Sequence, residues 1–76
     1  MPRIRKNNLI NLIRENRHTK IIAKKIHGKY YLLVYDKDNV LWILNKTKTE
    51  VKTFPDQRTI LSWIERQFGT IDVAIE

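Results

Sequence analysis

The chain has no cysteine among its 76 residues. This absence excludes disulfide bridges, thiolate zinc sites and cysteine nucleophiles, and it favours an intracellular protein over a small secreted one. Glycine is also scarce, and Gly28 and Gly69 alone cannot build a glycine-rich phosphate loop. No apolar run approaches the roughly 18 to 20 residues that cross a bilayer, and the candidate leader Leu9–Ile13 is interrupted by Asn11. We therefore expect a soluble, cytoplasmic protein that does not bind membranes.

Acidic residues are nearly missing from the first third of the chain. Residues 1–29 contain nine basic residues and one acid, a net charge of +8, whereas residues 30–76 contain six basic and seven acidic residues and sum to −1. A field polarised in this way attracts polyanions, so nucleic acid is the expected partner, DNA more than RNA. The predicted nucleic-acid-binding residues are Arg3, Arg5, Lys6, Arg14, Arg17, Lys20, Lys24, Lys25 and Lys29.

Two other interpretations of this charge stay open. The basic third is either a solvated face or a surface that docks an acidic protein partner, in which case the protein is an adaptor or regulator. Arg14 and Arg17 also fall at the end of a predicted helix, where they complement the helix dipole. Contacts from these groups to phosphate would position the protein on nucleic acid without reading its sequence.

The hydrophobic spacing predicts a single small α+β domain. It consists of an antiparallel sheet of four to five strands and two helices, in the order α-β-β-β-β-α-β. Residues 1–6 are expected to form a basic, flexible N-terminal arm, and residues 7–76 the domain. Asn7 is the predicted N-cap of the first helix, 8–17, and Asp56 that of the second, which ends at Gly69. The predicted strands are 19–26, 30–35, 40–44, 50–54 and 71–76.

The central hairpin is predicted by pairing Tyr35 with Val40, because directly opposite residues share a face. One face is then aliphatic and suits the helices: Leu32, Val34, Leu41 and Ile43. The other is aromatic and is expected to form a homodimer interface or a stacking platform for bases, or else to be buried by the termini or loops. Its predicted interface residues are Tyr31, Leu33, Tyr35, Trp42 and Leu44. A shift of one residue in this register would exchange the two faces.

No catalytic residue, metal site or cofactor is predicted, and we expect the protein not to be an enzyme. His18 and His27 have no neighbouring cluster of ligands. The run from Asp36 to Asn39 resembles the start of a calcium loop. However, the sixth position is Leu41 instead of glycine, and the twelfth is Thr47 instead of glutamate.

Three segments resemble small ParC-like partition-associated proteins of plasmids and integrative elements. They are Asn7–Ile13, the strand pair Tyr30–Leu44, and Val51–Phe54 leading into Ile60–Ile64. The similarity spans most of the chain and consists mainly of hydrophobic spacing. It implies a non-enzymatic accessory protein of a bacterial mobile element, and it implies no active site.

A looser resemblance is to the HicA-type toxin, an RNA-cleaving module with α-β-β-β-α order. Those toxins place a Gly-Ser-His run in a strand, whereas this chain has His27-Gly28-Lys29. The serine is missing and the histidine precedes the glycine. On this less favoured hypothesis His27 would be the general base of a ribonuclease.

Overall fold

Five strands and two helices account for most of residues 1–76, all of which the computed structural model describes. The elements are β1 (Arg3–Arg5), α1 (Lys6–Arg14), β2 (His18–Ile26), β3 (Lys29–Asp36), β4 (Leu41–Asn45), α2 (Gln57–Phe68) and β5 (Ala74–Ile75). The helices carry apolar stripes, as expected for elements that share one core, and the central strands β2 and β3 are buried on both faces at their middle.

The sheet has the strand order β1-β4-β3-β2-β5 and is mixed. The inner pairs β4–β3 and β3–β2 are antiparallel, and the outer pairs β1–β4 and β2–β5 are parallel. The predicted α+β class is therefore confirmed, but the expectation of a purely antiparallel sheet was wrong. The chain uses two helical crossovers, and a crossover joins strands that run the same way.

Both helices lie on the same side of the sheet. The first crossover runs from β1 through α1 to β2, and the second from β4 through α2 to β5. Each skips two strands and moves in the same direction along the sheet. Because such crossovers are right-handed, both helices must fall on one face. The other face receives no helix.

One buried cluster fills the space between the sheet and the helices. The strand residues in it all belong to the helix-bearing face, whereas Ile22 and Leu33, which are also buried, lie opposite each other on the other face. The core is therefore one-sided. Its buried members are Ile4, Leu9, Leu12, Ile13, Ile21, Ala23, Tyr30, Leu32, Val34, Leu44, Phe54, Ile60 and Ile64.

Residues 3–5, placed by the sequence analysis in a separate arm, form the edge strand β1. Ile4 lies opposite Leu44 of β4 and is only 8% exposed, whereas Arg3 and Arg5 point away from the core. The strand has only three residues, and Ile4 is its single apolar residue, between two arginines. The sequence therefore shows no alternation of apolar and polar residues from which a strand could be predicted. These residues therefore belong to the sheet, and the domain begins before residue 7.

The first helix starts and ends earlier than predicted. Arg5 is its N-cap and Asn7 lies in its first turn, so the prediction that Asn7 caps the helix was wrong. The helix ends at Arg14 because Asn16 adopts a left-handed backbone with φ of 55°, which asparagine tolerates. The expected continuation to Arg17 is thereby interrupted.

The central hairpin has a three-residue loop, and this changes its register. Tyr35 pairs with Leu41 instead of Val40, and Val34 pairs with Trp42. The loop closes through hydrogen bonds from the Asp38 and Val40 amides to Asp36 Oδ1, both 2.9 Å, with Asn39 left-handed. The one-residue shift exchanges the faces of β4.

The prediction that Trp42 and Leu44 lie on the aromatic face with the other interface residues was therefore wrong. Trp42 and Leu44 lie on the helix-bearing side, where Leu44 is 2% exposed and the Trp42 indole donates to Asp36 Oδ2 at 2.9 Å. Leu41 and Ile43, predicted to face the helices, take their places on the other face.

The predicted strand 50–54 is not a strand. It makes only isolated bridges, from Val51 to Asn45 of β4 and from Phe54 to Tyr30 of β3. Because the segment crosses from one strand to the next, it cannot form a ladder with either. Phe54 is buried against the Trp63 ring, with the ring centroids 5.8 Å apart.

The caps predicted for α2 are confirmed. Asp56 accepts a hydrogen bond of 2.8 Å from the Thr59 amide, and Gly69 ends the helix with φ of 74°. The last strand is shorter than predicted. Only Ala74 and Ile75 form β5, although the Glu76 amide still donates to the Ala23 carbonyl.

Ile4→Ala tests whether β1 is part of the core. We expect it to lower the free energy of unfolding by about 2–5 kcal/mol, the range for truncating a buried isoleucine. Arg3→Ala, in the same strand but outside the core, should change it by less than about 0.5 kcal/mol. Urea denaturation measures both, and equal small effects would mean that residues 3–5 do not pack in solution.

Asp36→Asn tests the hairpin. The hydrogen bonds from the Trp42 indole and from the Val40 amide hold the pKa of Asp36 below its ordinary value of 3.8. A lowered pKa means that the carboxylate stabilises the fold above this ordinary value and that the stabilisation is lost as pH falls through the lowered pKa. The stability of the wild type relative to Asp36→Asn should therefore shrink on acidification.

The matched control for this experiment is Asp38→Asn, which removes the same charge from an exposed position in the same turn. Urea midpoints between pH 2 and 7 compare the three proteins. If Asp38→Asn reproduced the pH dependence of Asp36→Asn, the effect would come from net charge and not from the hairpin contacts.

Candidate functional site

One face of the sheet carries no helix. The strand registers place on it alternate residues of β1 to β4 and the Glu76 side chain. We refer to it as the open face. Its principal residues are Arg3, Arg5, Lys20, Ile22, Lys24, Lys29, Tyr31, Leu33, Tyr35, Leu41, Ile43 and Glu76.

The centre of the open face is apolar. Ile22 and Leu33 are each 4% exposed although no helix covers them, and Ile43 lies opposite Leu33 on β4. Their burial must come from the longer side chains that surround them on the same face. The result is a continuous apolar strip across the three central strands.

Two tyrosines of the central strand border this strip. Tyr31 lies opposite Lys24, and Tyr35 lies opposite Lys20 on one side and Leu41 on the other. They are four residues apart, about 13 Å along the strand, and both are half-buried. Tyr30, by contrast, is buried on the helix-bearing face. The open face therefore presents two aromatic rings at its middle.

Basic residues flank the tyrosines on both sides. Arg3 and Arg5 line the β1 edge, and Lys20 and Lys24 line the β2 side. The only acid is Glu76, whose carboxylate lies 3.2 Å from the Lys20 Nζ and 3.9 Å from the Lys24 Nζ. With Lys29 included, five cations face one anion, so the open face is strongly positive.

The fold gathers five of the nine predicted binding residues on this face and scatters the others. Arg14 is exposed at the end of α1, and Arg17 is engaged by Glu15 at 2.7 Å. Lys25 lies opposite Tyr30 on the helix-bearing side. Lys6 opens α1, beside the end of β1. The charge excess of the first third is therefore concentrated on the sheet and not on the helix.

Three of the predicted interface residues are correctly placed on the open face: Tyr31, Leu33 and Tyr35. Sequence reasoning missed Leu41 and Ile43 because it assumed a shorter turn. The signal that could have found them is Asn39, a residue that tolerates the left-handed conformation needed in a three-residue hairpin loop.

The histidines are not part of the open face. His27 is exposed in the β2–β3 turn, with φ of 51°, and Gly28 beside it has φ of 80°. His18 lies at the start of β2, where its Nδ1 is enclosed without a hydrogen-bond partner. No group of three or more His, Asp or Glu side chains is placed to hold a metal ion, and neither helix has the length and apolarity to span a membrane.

No protein-family model matches the chain, and the comparisons with curated proteins and with solved structures also found no match. The resemblance to ParC-like proteins therefore stays a prediction from hydrophobic spacing. Function has to be inferred from the open face itself.

Proposed function

We propose that the protein binds single-stranded nucleic acid across the open face of its sheet. The observation that carries this proposal is the position of Tyr31 and Tyr35 on the central strand, between Arg3 and Arg5 on one side and Lys20 and Lys24 on the other. Unpaired bases have a π-face that stacks on aromatic rings, and their phosphates are drawn to flanking cations.

Each part of the face has a separate task in this mechanism. The tyrosine rings receive bases by stacking, which contributes about 1–3 kcal/mol per base. The half-buried Ile43 can contact a base, whereas Leu33 is buried beneath its neighbours and supports the tyrosine rings. The arginines and lysines contact phosphates. Such contacts tolerate any base, so the expected binding has little sequence preference.

Duplex DNA fits this geometry less well. A major groove about 12 Å wide admits a helix or a two-stranded ribbon. Five strands at about 4.8 Å spacing span about 19 Å, which is too wide to enter. Arg3 and Arg5 are also fixed in β1, so they do not form the free arm that enters a minor groove. This argues for an unpaired strand as ligand.

Self-association through the open face is the competing function, and the apolar strip favours it. The positive charge of the open face opposes self-association. Both flanks are basic, so a second copy placed in either orientation brings cations against cations, and like charges across an interface are unfavourable. An acidic protein partner would complement the positive charge of the open face, but it gives no reason for the two tyrosines at its middle.

The resemblance to ParC-like proteins extends the proposal to a setting. A non-enzymatic accessory protein of a bacterial mobile element would meet single strands during transfer or replication of that element. This part of the proposal depends on the resemblance alone, whereas the binding surface depends on the geometry.

Replacing both tyrosines by alanine tests the stacking. Tyr31→Ala with Tyr35→Ala should weaken the affinity for a single-stranded oligonucleotide at least about tenfold, because two stacked bases lose their platform. The matched control is Tyr31→Phe with Tyr35→Phe, which keeps both rings and should bind like the wild type. Fluorescence anisotropy with labelled DNA and RNA strands measures the affinity and shows which is preferred.

Unchanged affinity in the double alanine variant, with the fold intact by circular dichroism, would contradict stacking on the open face. Tighter binding to duplex than to single strands would contradict the proposed ligand. A concentration-dependent dimer in sedimentation that the alanine variant abolishes would favour self-association instead.

Replacing Arg3 and Arg5 by alanine tests the phosphate contacts. For single strands, log affinity falls with log salt concentration with a slope of about −0.7 per neutralised phosphate, so losing two contacts should flatten the slope by about 1.4. Arg14→Ala with Lys25→Ala removes the same charge away from the open face and should leave the slope unchanged. Equal effects from the two pairs would mean that only net charge matters.

A further inference from the structure

The edge of the sheet at β5 has free hydrogen-bonding groups. The Glu76 amide donates to the Ala23 carbonyl and the Glu76 carbonyl accepts from the Lys25 amide, so this residue faces β2. Successive peptide groups of a strand point to opposite sides, and the amide and carbonyl of Ile75 therefore point away from the sheet. The Ile75 side chain is also 46% exposed. This edge can accept another strand.

An apolar groove runs beside this edge on the helix-bearing side of the sheet. It has a volume of about 300 Å³ and lies between α2 and the segment that leads into β5. A strand added to β5 would form a further wall of this groove. Most of its lining residues are apolar, namely Leu61, Ile64, Ile71, Val73 and Ile75.

The opposite edge of the sheet, at β1, has free groups as well. The Pro2 carbonyl accepts from the Ile43 amide, and Ile4 is the next residue whose peptide groups face β4. The amides of Arg3 and Arg5 and the Arg3 carbonyl therefore point away from the sheet. Both arginine side chains are exposed, whereas the Ile4 side chain faces the helices. This edge can also accept another strand.

The two edges match in direction and in face. β1 is parallel to β4, the two inner pairs are antiparallel, and β5 is parallel to β2, so β1 and β5 run the same way. A second copy placed beside the first in the same orientation therefore brings its β1 parallel to β5. Ile4 and Ile75 then share the helix-bearing side, and Arg5 and Glu76 share the open face.

The two edges also have opposite charge. Residues 1–6 contain three basic residues and no acid, whereas residues 70–76 contain two acids and no basic residue. Pairing two β1 edges would bring arginines together, and pairing two β5 edges would bring carboxylates together. Like charges across an interface are unfavourable. Charge therefore opposes both symmetric pairings and favours the contact of β1 with β5.

We propose that the protein assembles head to tail, with β1 of one copy added to β5 of the next. Pairing Ile4 with Ile75 fits the free groups of both edges. The Ile75 amide donates to the Arg3 carbonyl, and the Arg5 amide donates to the Ile75 carbonyl. Arg5 then lies directly opposite Glu76 on the open face. Because each contact leaves one edge of either kind free, the assembly continues beyond a dimer into chains or rings.

This assembly joins the open faces of successive copies into one surface. Each copy adds five strands, about 24 Å at a spacing of about 4.8 Å, and every copy turns its open face the same way. A single nucleic-acid strand that crosses several copies would then bind cooperatively, as is common for proteins that coat single strands. This consequence rests on the proposed function, whereas the edge contact does not.

Sedimentation velocity without nucleic acid, at low salt and over a range of protein concentrations, tests the contact. The wild type should form species larger than a dimer, and added salt should dissociate them because the edges attract through opposite charges. Ile75→Pro removes the outward amide, keeps the bonds of Glu76 to β2 and should stay monomeric. The matched control Ile75→Val keeps the amide and should assemble like the wild type.

Charge reversal tests the polarity of the contact, and it decides the matter even if Ile75→Pro fails to fold. Arg5→Glu and Glu76→Lys each place like charges across the contact and should each give monomers. The double variant restores an opposite pair and should assemble again. Glu76→Lys also meets Lys20 and Lys24 of its own copy, but this repulsion is the same in the single and the double variant.

Three results would overturn the contact. They are a wild type that stays monomeric at every concentration, association that stops at a dimer, and a double variant that does not recover the assembly lost in the single variants. A dimer would mean a symmetric interface, and a missing rescue would mean that the single variants act on the fold and not on the pairing of the two edges.

Oligonucleotide length separates the edge contact from the open face. On a strand long enough for several copies, the wild type should bind cooperatively and Ile75→Pro without cooperativity, whereas both should bind a short strand equally. Tyr31→Ala with Tyr35→Ala should weaken strand binding and leave the assembly in sedimentation intact. Failure of the proposed function would therefore leave assembly without strand binding, and failure of the edge contact would leave strand binding without cooperativity.

Discussion

The handedness of strand–helix–strand crossovers determines most of what is distinctive in this molecule. Two crossovers that run in the same direction along one sheet must place both helices on the same side. A chain of 76 residues has no third helix to cover the other side. The open face is therefore a direct consequence of topology, and its two half-buried tyrosines are left accessible to a ligand.

Charge and topology act together on this face. The basic excess of the first third is a property of the sequence, but only the strand registers decide which basic side chains share a surface. Arg3 and Arg5 reach the open face because Ile4 turns towards the core, and Lys20 and Lys24 reach it because Ile21 and Ala23 do the same. Strands β1 and β2 thus flank the tyrosines with positive charge from opposite sides.

The class of the fold, both helices and the caps of α2 could be predicted because they depend on local signals: apolar periodicity, an aspartate before a helix and a glycine after it. The edge strand β1 could not, since three residues carry no periodicity and its partner β4 is about forty residues away. The sheet face predicted for Trp42 was wrong for a single reason. One extra loop residue, made possible by Asn39 and by the Asp36 carboxylate, reverses every side chain that follows. Of the proposed site, composition identified the basic residues and the tyrosines, but only the pairing of strands brought them together.

Photo-crosslinking tests the central claim most directly, because it identifies the residues that touch the bases. The protein is irradiated with single strands that carry 5-iodouracil, and the linked residues are identified by mass spectrometry. Crosslinks at Tyr31 or Tyr35 are the predicted result. Crosslinks confined to residues of the helix-bearing side, such as Trp42 or Trp63, would contradict the assignment of the open face as the binding surface.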